Sequence, residues 1–326
     1  MFIRYPKTFI PFLLLMTFAG SATVPSVNAQ RPDDETVKVS TALVSVPVVV
    51  SDRGNRFIQG LTKADFRIFQ DGVEQKIELF GSRDTPMNIV LALDTSVSTK
   101  PVLGMIKKAA REFVAGLADD DRCMIVTFDA TIRRLNSLTQ DKKVLDSAIK
   151  KAASGKTAGT MLNDTLYDAV NETFRPLTGR KAIVVLTDGK DYGSDRTVKI
   201  LMGGLSESDT VIYPIFYETT EWAPERRPRL FGNLGRGNPN AEPSNAVAKE
   251  FLQSLAVATG GRLFEPANGN VKEAFDQIAD EMKRQYLIAF YPPEDAHGGP
   301  THKIKVSVGR ADAVVRAKAE YKTQTR

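Results

Sequence analysis

Through the middle of the chain, short apolar runs alternate with stretches of helical spacing. Residues 87–93, 123–129, 182–186 and 211–216 are apolar at most positions, as strands buried on both faces are. Between and after them, 102–117, 141–153, 162–174, 194–205, 245–259 and 271–284 read as helices. Asp141 suits an N-cap, and Gly260-Gly261 suits a helix end. Residues 131–138 read as an antiparallel edge strand and 262–264 as a short strand. Pro214 weakens the strand at 211–216, because proline fits poorly in a central strand. The alternation predicts an α/β fold with a doubly wound, mostly parallel sheet.

The pattern changes to strands on either side. In the first segment these are 43–50, 65–69 and 75–80, and Asp71-Gly72 between the last two signals a hairpin. Pro47 inside the first run predicts an edge position or a bulge. After 284 come strands at 285–291, 303–308 and 313–317, with a Pro- and Gly-rich connection at 292–300. Each segment alone offers few strands, so the two are expected to share one sandwich-like domain with the α/β domain inserted between them.

The chemistry concentrates where two apolar runs end. Asp94-Thr95-Ser96-Val97-Ser98 follows the first run; Thr187-Asp188-Gly189 follows 182–186; Ala158-Gly159-Thr160 precedes the helix at 162–174. Ligands in open α/β sheets bind outside the carboxyl ends of strands. In an extended segment Asp94, Ser96 and Ser98 would share one face, and oxygen-only groups suit a hard cation. The alternative is ordinary: Asp94 caps the next helix and the serines are turn residues.

Together, and in this order, the three motifs resemble the metal-ion-dependent adhesion site of von Willebrand factor type A domains, over about residues 86–282. Asp94, Ser96, Ser98, Thr160 and Asp188 each match a position of that motif. One departure is Ala158, where the family often has a glycine. The resemblance implies a divalent cation (Mg2+, Mn2+ or Ca2+) whose open position is completed by a carboxylate on a protein partner. The wider layout resembles exported bacterial relatives with a β segment on each side, carried by Asp65-Phe66, Asp71-Gly72 and residues 286–292.

The ends and the composition set further bounds. Arg4 and Lys7, an apolar core at 9–18 and Val27-Asn28-Ala29 read as a secretory signal cleaved after Ala29. The apolar core is short for a membrane span, and an uncleaved anchor is the alternative. The expected organisation is a signal at 1–29, a linker at 30–36, a β segment at 37–84, the von Willebrand A domain at 85–284 and a β segment at 285–326, secreted or periplasmic and without an integral span after cleavage. Losing residues 1–29 lowers the formal charge of +5 by two, and no basic stripe with interleaved aromatics points to nucleic acid. The single cysteine, Cys123, lies in an apolar run and reads as buried and inert.

Other signals carry less. Gly155-Lys156-Thr157 resembles the end of a phosphate loop, but Lys150 stands where that motif needs glycine, and no strand precedes it. His297 and His302 lie in or beside the 292–300 turn, far in sequence from the cluster. The scarcity of general bases argues against an enzyme; a metal-dependent hydrolase of phosphoesters or envelope polymers would have to use Asp191. A purely structural module is the other rival. The long 218–244 connection holds Trp222, Arg226, Arg227, Arg229 and Phe231. It reads either as a disordered insertion or as a partner-binding rim leaving the metal face.

Overall fold

The computed structural model describes residues 43–81, 85–218, 244–293 and 301–322. Residues 1–36, read above as signal and linker, and Trp222, Arg226, Arg227, Arg229 and Phe231, read as a candidate rim, lie outside these.

Among the described residues, the α/β lobe is a five-stranded sheet flanked by six helices. In chain order these are β5 (Met87–Asp94), α1 (Leu103–Ala115), β6 (Arg122–Phe128), β7 (Ile132–Arg134), α2 (Lys142–Lys151), α3 (Leu162–Asp168), β8 (Arg180–Thr187), α4 (Val198–Ser206), β9 (Val211–Phe216), α5 (Asn245–Thr259) and α6 (Val271–Arg284). The sheet order is β7-β6-β5-β8-β9, parallel except for β7. All eight residues of β5 and of β8 are buried, as their unbroken apolar runs require. One face packs on α1, α2 and α6, with Phe113 and Phe275 rings 5.0 Å apart; the other packs on α3, α4 and α5. The Asp141 carboxylate accepts from the Lys143 and Val144 amides at the start of α2, and α5 ends at Gly260.

The flanking segments supply β1 (Val44–Asp52), β2 (Phe66–Gln70), β3 (Val73–Gln75), β4 (Leu79–Gly81), β10 (Tyr286–Phe290), β11 (His302–Val308), β12 (Ala313–Ala317) and β13 (Glu320–Tyr321). Among the described residues they form two four-stranded sheets, ordered β12-β1-β10-β4 and β13-β11-β2-β3. Each sheet mixes strands from both segments. One apolar core, including Val46, Val48, Ile68, Ile288 and Phe290, fills the space between them. The Tyr286 hydroxyl crosses this core to donate to the Ile58 carbonyl and accept from the Leu61 amide.

Several sequence expectations change. The run at 75–80 is not one strand: the hairpin returns as β3, and the chain then crosses to the other sheet as β4, with Ile77 buried at the crossing. Asp71 and Gly72 have φ of 49° and 87°, the left-handed pair of a tight hairpin. Pro47 lies in β1, which is interior to its sheet. It sits opposite Leu287 in the half paired with β10, and pairing with β12 starts at Val48. Pro214 is tolerated because its carbonyl, and hence its missing N–H, faces Phe264 and not β8. The segment 262–264 reduces to a single bridge at Phe264, the helix at 194–205 starts at Val198, and α3 continues as a π-turn over Ala169–Phe174.

Buried charge joins the lobes. Arg180, at the start of β8, donates to the Thr85 and Met282 carbonyls. Glu281 on α6 is fully buried and pairs with Arg316 of β12 and, at 3.8 Å, with Arg262. Among the described residues, no helix is long and apolar enough to cross a membrane.

Candidate metal centre

Asp94 ends β5 beside the end of β8, so the parallel register of the sheet delivers it to Thr187. Its carboxylate is fully buried. Oδ1 accepts from the Ser96 amide at 2.9 Å, and Oδ2 accepts from the Thr187 hydroxyl at 2.8 Å. Thr187 is itself held by the Gly189 amide at 3.0 Å. Burial first, and the neighbouring Asp188 charge second, push the Asp94 carboxyl up to about 7 against the opposing pull of Ser96 and Thr187.

Beyond Ser96 the backbone is not extended, as simple alternation expects. Val97–Thr99 forms a short 3-10 turn, closed by the Thr99 amide and hydroxyl on the Ser96 carbonyl. The turn still brings the two serines together: Ser96 Oγ and Ser98 Oγ are 3.0 Å apart, and Ser98 donates to Asp188 Oδ2 at 3.4 Å. Thr95 points the other way, donating to the Phe128 carbonyl and to Asp129 on β6's end. Asp94, Ser96, Ser98 and Asp188 are therefore linked in one polar cluster.

Thr160 is held by its backbone against the loop that follows Asp188, and no hydrogen bond joins it to the cluster among the described residues. Its amide and carbonyl exchange 2.8 Å hydrogen bonds with Tyr192, four residues past Asp188. Gly159 before it has φ of 148°, and a Cβ there would stand 2.8 Å from Ala130 Cβ, so this approach admits only glycine. The Gly155 of the phosphate-loop look-alike is a packing glycine: a Cβ would meet the Asp129 carboxylate at 2.7 Å. Asp191, the acid a hydrolase would need, accepts from the Asn163 amide, the Asn163 side chain and Ser194. It braces the loop. His302 sits in the sandwich, 2.7 Å from Asp71. Cys123 is buried, and burial pushes its thiol upward.

Three roles escape a motif reading, although Thr187 itself lies in a matched stretch. Thr187 orients Asp94, and Tyr192 positions Thr160. The Tyr217 hydroxyl, just past β9, is buried without a hydrogen-bond partner among the described residues. Burial, then the Asp94 and Asp188 charges, hold it well above the ordinary tyrosine range. Only its place after an apolar strand parallel to those bearing the acids signals its position.

Such a donor set suits a hard cation. It offers two carboxylates and hydroxyl oxygens, and no basic side chain is hydrogen-bonded to Asp94 among the described residues. No three His, Cys, Asp or Glu side chains cluster among those residues, so an ion here depends on hydroxyl ligands. At the same sheet end, Asn245 donates to Glu218 at 3.1 Å, and the helix α5 that follows packs on Gly189.

Solved structures similar to this chain include BatB from Bacteroides thetaiotaomicron (17% identity, 60% of this chain and 97% of that one, TM-score 0.45). Others are a von Willebrand factor type A protein from Catenulispora acidiphila (14%, 79% and 73%, 0.46) and proximal thread matrix protein 1 of the mussel byssus with a zinc-occupied MIDAS motif (16%, 65% and 48%, 0.47). No curated protein matches. The sequence profile of the von Willebrand factor type A domain matches residues 88–277, more than half of the chain, and the chain belongs to that family.

Proposed function

We propose that this protein is an exported, cation-dependent protein-binding module of adhesion or scaffold type. Asp94, Ser96, Ser98, Thr160 and Asp188 would hold Mg2+, Mn2+ or Ca2+. The observation that carries this reading is the contact chain Ser96–Ser98–Asp188 beside a buried Asp94 that, among the described residues, backbone amide and hydroxyl groups support with no basic side chain hydrogen-bonded to it. Two carboxylates at most neutralise a divalent ion, which when bound supplies a Lewis-acidic position for a partner's carboxylate. Asp94 and Asp188 bind; Thr187 and Tyr192 orient. The 218–244 segment, with Trp222, Arg226, Arg227, Arg229 and Phe231, would form the rim that selects the partner, since its ends leave and rejoin the fold at the Asp94 end of the sheet. Export rests on the sequence of residues 1–29. No observation favours a hydrolase, because Asp191 is engaged in bracing the loop.

Calorimetric titration with Mg2+ and Mn2+ should give one site in the wild type and none in Asp94→Ala. Capture of an envelope protein by the immobilised chain should be lost with chelator. Cation binding that persists in Asp94→Ala would refute the site; capture insensitive to chelator would refute its role.

A further inference from the structure

At the end of the sheet away from Asp94, a cavity of about 180 Å3 opens between the two lobes, far larger than the ~10–15 Å3 one water needs. The α/β lobe lines it with Arg175, Lys181, Glu207 and Asp209, and the sandwich with Lys318 and Lys322. Four basic groups thus face two acids. Asp209 pairs with Lys181 at 2.7 Å.

Lys318 is the unusual member. It is only 4% exposed, and its ammonium donates to the Ser208 carbonyl at 2.8 Å, which engages one of three N–H groups. Among the described residues, none of the ion pairs includes Lys318, Lys322 or Arg175. Burial draws the Lys318 proton affinity down to about 8, with Asp209 opposing the shift and Lys181 reinforcing it. A buried ammonium so placed is unfavourable without a counter-charge. Ser45, Ser208 and Asn171 add neutral polar groups to the same walls.

We propose that this cavity binds a small phosphate-type oxyanion between the lobes, with Lys318 and Lys322 contacting it from the sandwich and Arg175 and Lys181 from the α/β lobe. Phosphate presents oxygens in several directions, which matches donors arriving from opposite walls, and the guanidinium fork of Arg175 suits two of them. The anion would tie the C-terminal strands of the sandwich to the turn between α4 and β9, where the Lys322 amide already bonds the Ser206 carbonyl. Free phosphate and a phosphate monoester share this chemistry.

The test is thermal melting of the full chain, without divalent cations, in sodium phosphate against sodium chloride at equal ionic strength, so that screening is common to both. At millimolar phosphate the melting temperature should rise by about 3 °C or more. The double substitution Arg175→Ala/Lys322→Ala, at positions outside the core, should remove the rise, as should Lys318→Met. Asp94→Ala should keep it, which separates this site from the cation site. A glycerol phosphate arm distinguishes the sources: a larger shift than with inorganic phosphate identifies a monoester, a smaller one the free ion. Identical melts in phosphate and chloride for the wild type, or an undiminished phosphate shift in both variants, would overturn the proposal.

Discussion

The two ends of the central sheet treat buried charge in opposite ways. At the carboxyl end, Asp94 is supported among the described residues by backbone amide and hydroxyl groups, with no basic side chain hydrogen-bonded to it, and its carboxyl is pushed up to about 7. At the amino end, most of the buried charges are answered: Lys181 meets Asp209, Glu281 meets Arg316, and Arg180 meets two carbonyls, with Lys318 the exception among the described residues. The first arrangement leaves electrostatic free energy that the proposed cation would recover. The second fastens one lobe to the other. A buried carboxylate is thus a structural strut in one place and, on the proposed reading, a cation ligand in the other, and its neighbours decide which.

The largest effect should come from the strut. Glu281→Ala leaves Arg316 and Arg262 without their carboxylate, and urea unfolding should show a loss of about 3 kcal/mol with cation binding retained. A loss below about 1 kcal/mol would mean that the joint does not depend on this pair. Next is Gly159→Ala, which forces a Cβ onto Ala130 at a left-handed φ and should cost roughly 1–3 kcal/mol. Because it displaces Thr160, calorimetry should also show weaker cation binding; unchanged affinity would exclude Thr160 as a ligand.

Acidity sharpens the contrast further. Asp94 holds its proton more tightly folded than unfolded, so its contribution to stability is present in full below about pH 4 and fades as pH rises through 7. Melts of the cation-free protein should therefore show this contribution falling from pH 5.5 to 8. The increment gained from added cation should grow over the same range, as the proton ceases to compete. Asp94→Asn should flatten both trends, and equal trends in the variant would assign them elsewhere. The smallest effect belongs to Tyr217→Phe, which removes a buried hydroxyl without a partner among the described residues and should raise cation-free stability by up to about 1 kcal/mol. Destabilisation instead would show that the hydroxyl has a partner in solution.

Much of this was legible in the sequence because it is local. Continuous apolar runs announce strands buried on both faces, so β5, β6, β8 and β9 could be placed, and the acids at two of their ends followed from register. The hairpin at Asp71-Gly72 is equally local. What escaped depends on contacts distant in sequence. Thr187 on Asp94, Tyr192 on Thr160 and Glu281 on Arg316 join residues that no periodicity relates. The 75–80 run misleads because its alternation continues smoothly while the chain leaves one sheet for the other. Pro214 misleads in the opposite sense: the rule is sound, but the missing N–H faces away from β8.

The central claim, that the polar cluster at Asp94 is a cation site, is tested most directly by melting wild type and Asp94→Ala at pH 8 with and without saturating Mg2+ or Mn2+. At a hundred times its dissociation constant a ligand contributes about 2.7 kcal/mol, so the wild type should melt several degrees higher with cation and the variant should not respond. The same cation response in both proteins, or none in the wild type, would contradict the account.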